Sequence, residues 1–162
     1  MRLALPGRFA RHCDPRPGGL SMEGLIHEEY YVNRGDYVTA GSASADMKRK
    51  LRQLGVSSLV LRRLAVASYE VELNLVIHSL GGKLVFDVDS EGVTLISSDK
   101  GPGIPDIELA MKEGYSTAND EARSLGFGAG MGLPNMKRNA DEFEIASEPG
   151  VGTTIKMRFL LK

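Results

Sequence analysis

Cysteine is almost absent from this sequence, because Cys13 is the single one among 162 residues. One thiol excludes an internal disulfide and a thiolate metal cage, and it suits a reducing compartment, so we expect a cytoplasmic protein. Excess charge of one sign is also lacking: the formal net charge is −1, which argues against a general nucleic-acid-binding protein. No apolar run approaches the ~20 residues that span a bilayer, so we expect no membrane partner.

Glycine, in contrast, is abundant, with 19 residues. Many of them fall into three clusters, at 101–103, 126–132 and 150–152. Such clusters mark places where the backbone turns sharply or approaches a ligand closely. Because 42% of the residues are hydrophobic and 25% are charged, the chain has the composition of one packed globular domain.

Residues 1–21 differ from the rest of the chain, since they are rich in arginine, poor in acidic residues and contain three prolines. This composition can imitate an organelle transit peptide, but the longest apolar stretch is too short for a signal-peptide core. We expect a flexible extension or an over-long start, with Met22 as the functional start. Residues 22–162 then form the domain.

The hydrophobic pattern predicts helices first and then a meander of strands with helices inserted on one side. This order is typical of an α/β (α+β) fold, a two-layer sandwich of helices on a mixed, mostly antiparallel sheet, and not of regular βαβ alternation. A mobile loop is expected at 114–128. The predicted strands cover 25–32, 83–89, 93–98, 143–147 and 153–161, and the predicted helices cover 35–54, 57–79, a short turn after Pro105, and 133–140.

The helix predicted at 57–79 is apolar nearly all round, and such a helix is usually buried. Glu70, Asn74 and His78 nevertheless follow each other at intervals of four residues, so they share one face. Taken alone, that face is a solvated stripe. The alternative is that it faces a nucleotide, in which case Asn74 offers an amide oxygen to Mg²⁺ and Glu70 lies close enough to act as a base.

Three glycine-containing segments complete the candidate site. Asp99 ends an apolar strand before Gly101 and Gly103, which indicates either an ordinary turn or a carboxylate that accepts hydrogen bonds from an adenine amino group. The alternating glycines of 126–132 precede a helix and can cradle a phosphate with successive N–H groups, although a flexible linker is the alternative. The segment 150–154 alone indicates a hairpin turn.

Together, the order and spacing of these segments resemble the nucleotide-binding motifs of the GHKL (Bergerat-fold) ATPases over about residue 25 to the C-terminus. Within that superfamily the chain most resembles the anti-sigma-factor and switch serine kinases, of the RsbT stressosome type. The residues that suggest this are 114–117 (Gly-Tyr-Ser-Thr), 133–138 (Leu-Pro-Asn-Met-Lys-Arg) and 141–145 (Asp-Glu-Phe-Glu-Ile). Asn139 departs from the pattern, because switch kinases carry an apolar residue there.

The resemblance implies an ATP- and Mg²⁺-dependent kinase that phosphorylates a serine on a small STAS-domain antagonist or scaffold protein. The kinase then also engages a downstream phosphatase or sigma factor. An anti-sigma factor that acts mainly by sequestering its partner is the alternative.

Site roles are carried over residue by residue. Glu70 is the general base, Asn74 the Mg²⁺ ligand, and Asp99 the group that reads adenine, with help from Thr153 through a water. The remaining roles fall on glycines and one arginine: Gly101 and Gly103 make room for the base, Gly128, Gly130 and Gly132 wrap the phosphates, and Arg123 contacts the γ-phosphate.

Overall fold

A computed structural model of the chain describes residues 24–162. The extension predicted at 1–21 lies outside the described residues. Over the described range the strands and helices follow one another in this order: β1 (Ile26–Val32), α1 (Ser42–Gln53), α2 (Ser58–His78), β2 (Gly82–Val88), β3 (Gly92–Asp99), α3 (Ile107–Ala110), α4 (Asp120–Ser124), α5 (Gly132–Asn139), β4 (Glu142–Glu148) and β5 (Gly152–Leu160).

The five strands form one sheet in the order β1-β2-β3-β5-β4. The predicted two-layer α/β fold is confirmed, but each of the four strand pairings is antiparallel, so the sheet is not mixed. After β3 the chain leaves the sheet for α3, α4 and α5 and returns as the edge strand β4. Strand β5 then runs between β4 and β3, antiparallel to both. The end of β3 therefore lies next to the start of β5, with Ser98 opposite Thr154.

Helix α2 is the centre of the helical layer. It begins where the Ser57 hydroxyl accepts a hydrogen bond from the N–H of Val60 at 3.4 Å. Its apolar side chains pack on the inner face of the sheet, where Phe86 and Phe159 are fully buried. Burial of each such side chain adds ~1.5–3 kcal/mol to the free energy of unfolding, relative to leaving the side chain exposed. None of the helices in residues 24–162 has the length and apolar character needed to cross a membrane.

Helix α1 begins later than the sequence pattern predicts. Residues 35–41 form turns instead, because the Asp36 carboxylate accepts hydrogen bonds from the Thr39 N–H at 3.2 Å and from its hydroxyl at 2.6 Å. Gly41 then adopts a positive φ of 94°, and it has no side chain that could cap the helix. The cap comes from α2, where the buried carboxylate of Glu72 accepts the N–H groups of Ala43 (3.2 Å) and Ser44 (2.9 Å).

The segment predicted as a mobile loop at 114–128 contains a short helix, α4. Its first turn is fixed by Asn119, whose side-chain oxygen accepts the N–H of Ala122 at 2.9 Å. Ala122 is fully buried and so anchors this helix to the domain. The other predicted elements agree with the structure to within a few residues.

Candidate functional site

A cavity of about 740 Å³ opens between α2, the adjoining ends of β3 and β5, and the glycine-rich segment that precedes α5. The structure brings most of the predicted site residues together in its lining. These are Glu70, Asn74, Asp99, Gly103, Gly128, Gly130, Gly132 and Thr153.

The helical spacing of Glu70 and Asn74 directs both side chains to the beginning of α5. A Cβ atom placed on Gly132 would lie 3.3 Å from Asn74 Oδ1 and 3.4 Å from Glu70 Oε2. The absence of a side chain at Gly132 therefore keeps open the space that these two oxygens face. The other Glu70 oxygen, Oε1, accepts a hydrogen bond of 2.9 Å from Asn135 Nδ2 in α5.

Asp99 lies half-buried at the end of β3. Burial raises the pKa of its carboxyl group, and the backbone N–H of Thr153 partly opposes that shift. The Thr153 hydroxyl is within 2.8 Å of the hydroxyl of Ser147, which also accepts the N–H of Ile104 at 2.7 Å. Ser147 thus ties the turn after Asp99 to the start of β5.

Two glycines of the motif after β3 occupy different places. A Cβ on Gly103 would lie 2.3 Å from the carbonyl oxygen of Glu148, so the turn can approach β4 this closely only with glycine. Gly101 is not in the cavity lining; a Cβ there would lie 3.1 Å from Asp99 Oδ1. Gly101 therefore makes room for the Asp99 side chain rather than facing the cavity directly.

Residues 114–131, which include the glycine-rich segment, form the lid over the cavity. Gly130 has a φ of 76°, and a Cβ on it would lie 2.4 Å from the carbonyl carbon of Gly114. The Gly114 N–H in turn donates to the Gly130 carbonyl at 2.9 Å. Phe127 lines the cavity and stacks on Tyr37 with ring centroids 5.7 Å apart. The lid is therefore held both to itself and to the turns before α1.

Arg123, predicted to contact the γ-phosphate, is not in the cavity lining. Its Nε donates to the Ala118 carbonyl at 3.0 Å, so the guanidinium is held within the lid. His78 does line the cavity, with Nδ1 3.4 Å from the Thr117 hydroxyl. Burial lowers the pKa of His78, because a buried site disfavours the charged form of the imidazole.

The oxygen atoms that line the cavity fit a Mg²⁺ ion that binds together with the phosphates of a nucleotide. Over residues 24–162 there is no group of three or more His, Cys, Asp or Glu side chains that could hold a metal. Mg²⁺ is usually bound by one or two protein oxygens together with substrate phosphates and waters. Asn74 Oδ1 is a side-chain amide oxygen in the cavity, and Gly132 leaves space in front of it.

Sequence reasoning assigned no role to Asn135 or to Glu72. Each makes its contact with a residue far away in the chain, at separations of 65 residues for Asn135 and Glu70 and 29 for Glu72 and Ala43. The local pattern around each residue contains no signal for these contacts.

Comparisons with known proteins agree with this geometry. The chain is 35% identical over 109 residues to the serine/threonine-protein kinase RsbT of Bacillus subtilis (strain 168), and the alignment covers 65% of this chain and 76% of that protein. It is 35% identical over 94 residues to the anti-sigma F factor of Caldanaerobacter subterraneus subsp. tengcongensis, covering 54% of this chain and 62% of the relative.

The anti-sigma F factor of Thermoanaerobacter sp. (strain X514) is 34% identical over 93 residues, with 54% of this chain and 62% of the relative covered. The chain thus spans less than two thirds of the length of these anti-sigma F factors. Residues 59–162, which include all of α2 but its first residue and the whole cavity-forming region after it, match the family described as histidine kinase-, DNA gyrase B-, and HSP90-like ATPases. The chain belongs to this family, and ATP is accordingly the nucleotide that it binds.

Proposed function

We propose that this protein is a kinase that transfers the γ-phosphoryl group of ATP to a serine of a partner protein. One observation carries the proposal: Glu70, Asn74 and Asp99, from two different elements, line the same cavity beneath a lid of glycines. The similarity to RsbT, which is named a serine/threonine-protein kinase, supports the same reaction.

In this proposal Asp99 orients the nucleotide. Its carboxylate accepts a hydrogen bond from the adenine amino group, and Thr153 assists through a bridging water. Gly103 allows the turn after β3 to fold closely beside the base. The N–H groups of Gly128, Gly130 and Gly132, at the lid and the start of α5, donate to the phosphates.

Glu70 is the general base in this scheme. It takes the proton of the serine hydroxyl as the hydroxyl oxygen attacks the γ-phosphorus, while the bond from that phosphorus to the β,γ-bridging oxygen breaks and ADP leaves. Asn74 would hold Mg²⁺, which, when bound, supplies neutralising charge to the phosphates.

The proposed acceptor is a small STAS-domain antagonist or scaffold protein in a cytoplasmic partner-switching system. Phosphorylation adds about −1.5 to −2 charges at pH 7 and so changes which proteins the acceptor binds. A downstream phosphatase or sigma factor is the proposed further partner. The similarity to RsbT and to anti-sigma F factors supports a switching role of this kind.

The similarity to anti-sigma F factors also favours a second function, in which the chain acts mainly by sequestering a sigma factor. Both functions use ATP, so nucleotide binding does not separate them. The distinction lies in whether phosphoryl transfer or tight partner binding is the main event.

Transfer from γ-labelled ATP to a panel of STAS-domain proteins tests the proposal. We expect label on a serine, and we expect Glu70→Ala to lower the transfer rate by ~10²–10⁴-fold while ATP binding persists. Glu144→Ala is the matched control, because Glu144 is exposed on β4, outside the cavity lining. If Glu70→Ala transfers phosphate at the same rate as the wild type, Glu70 is not the general base. Tight partner binding without transfer by the wild type would favour sequestration.

A further inference from the structure

We propose that Asn135 is a positioning residue for Glu70: its side-chain amide fixes one carboxylate oxygen so that the other faces the reacting atoms. This inference rests on the proposed role of Glu70 as the base.

The contact is direct. Asn135 Nδ2 donates to Glu70 Oε1 at 2.9 Å, and both residues are half-buried beside the cavity. Oε2 instead lies beside the open space at Gly132, the same space that Asn74 Oδ1 faces. Within residues 24–162, Asn135 is the one side chain that donates a hydrogen bond to Glu70. The two oxygens therefore have separate roles, one for anchoring and one for the incoming hydroxyl.

An amide suits this task for a chemical reason. The Nδ2 group donates to a carboxylate but does not titrate, so it cannot take the proton that Glu70 receives from serine. A lysine or arginine in its place would form an ion pair with the Glu70 carboxylate and so compete with the serine proton for it. A glutamate side chain that is held in one orientation avoids the loss of rate, up to ~10²-fold, that follows from misplacing a catalytic group by about 1 Å.

Helix α5 makes a second contact with α2 that does not involve the Asn135 side chain. Asn139 Nδ2 donates to the Asn135 carbonyl at 2.8 Å, and Arg63 Nε in α2 donates to the Asn139 carbonyl at 2.8 Å. The Arg63 guanidinium also pairs with Asp141 at 2.9 Å. Helix α5 is thus fixed on α2 at two places, and Asn139, which departs from the switch-kinase pattern, takes part in one of them.

The kinetic test uses Asn135→Leu, which has similar volume and no donor. We expect kcat for transfer to a STAS-domain protein to fall by about 10- to 100-fold, because a hydrogen bond to a charged group contributes ~1.5–3 kcal/mol. The KM for ATP should change less than about twofold, since the substituted group acts on the chemical step. Asn135→Gln, which retains an amide, should recover part of kcat.

Asn139→Leu is the matched control, because it removes an amide of the same size one turn later, keeps the main-chain carbonyl that Arg63 binds, and does not touch Glu70. Its kcat should stay near that of the wild type. If Asn135→Leu does not fold, as judged by circular dichroism, Asn135→Ala replaces it. Unchanged kcat in a folded, donor-free variant would overturn the inference, and so would equal losses in the Asn135 and Asn139 variants.

A second measurement needs no partner protein. In ¹H–¹⁵N spectra, Glu70→Ala should move the side-chain NH₂ resonances of Asn135 and leave those of Asn139 in place. Unmoved Asn135 resonances would overturn the inference. If the wild type transfers no phosphate to any STAS-domain protein, the proposed function fails, whereas these spectra still decide whether Asn135 holds the carboxylate.

Discussion

Glu72 offers a quantitative test of how the helical layer is assembled. Its carboxylate is 2% exposed and accepts two N–H groups from the first turn of α1, at 2.9 and 3.2 Å. The residue before α1 is Gly41, which has no side-chain cap, so Glu72 satisfies donors that the local sequence leaves free. It also places negative charge at the positive end of the helix dipole.

Glu72→Ala removes both hydrogen bonds and leaves two buried donors without a partner. Each orphaned donor costs ~1–3 kcal/mol, and the lost dipole interaction adds ~0.3–1 kcal/mol. Release of a buried charge offsets part of this sum, so we expect a loss of about 3 kcal/mol of unfolding free energy. Glu72→Gln keeps one carbonyl acceptor and should lose about half as much.

Urea unfolding followed by circular dichroism at pH 7 measures both variants. A loss of 3 kcal/mol corresponds to a melting temperature lower by ~6–12 °C for a domain of this size. The exposed Glu144 again supplies the control, because surface substitutions usually change stability by less than ~0.5 kcal/mol. A Glu72→Ala variant that loses less than ~1 kcal/mol would refute the capping role.

Three further substitutions test the cavity. Asp99→Asn should weaken ATP binding by about 10- to 100-fold. The pKa of Asp99 is raised in the folded state, so the folded protein loses stability as pH rises through that pKa and the carboxyl group becomes charged. Asp99→Asn removes this charge, and calorimetry and urea unfolding should therefore find the variant more stable than the wild type at neutral pH. Asn74→Ala should abolish the Mg²⁺-dependent part of ATP affinity and leave binding in EDTA unchanged. Gly130→Ala, which places a Cβ 2.4 Å from Gly114 at a φ of 76°, should weaken fluorescent-nucleotide binding by more than about tenfold and lower the unfolding free energy by about 1 kcal/mol or more.

Much of the fold follows from local patterns in the sequence. The apolar helix predicted at 57–79 and the strand predicted at 83–89 depend on residues within a few positions of one another, and the structure confirms them as α2 and β2. The convergence of Glu70 and Asn74 follows from the helical repeat for the same reason.

The features that the sequence did not predict depend on contacts between distant parts of the chain. Helix α1 begins at Ser42 because Glu72 lies beside its first turn. The stacking of Tyr37 on Phe127 joins segments 90 residues apart. Such contacts follow from the packing of whole elements, which periodicity does not encode.

A crystal structure with Mg²⁺ and a non-hydrolysable ATP analogue tests the central claim most directly. The adenine amino group should lie ~3 Å from the Asp99 carboxylate, the ion should lie ~2.1 Å from Asn74 Oδ1, and the γ-phosphate should face Glu70 Oε2. A nucleotide bound elsewhere, or one whose purine points toward Glu70 and whose phosphates point toward Asp99, would contradict it.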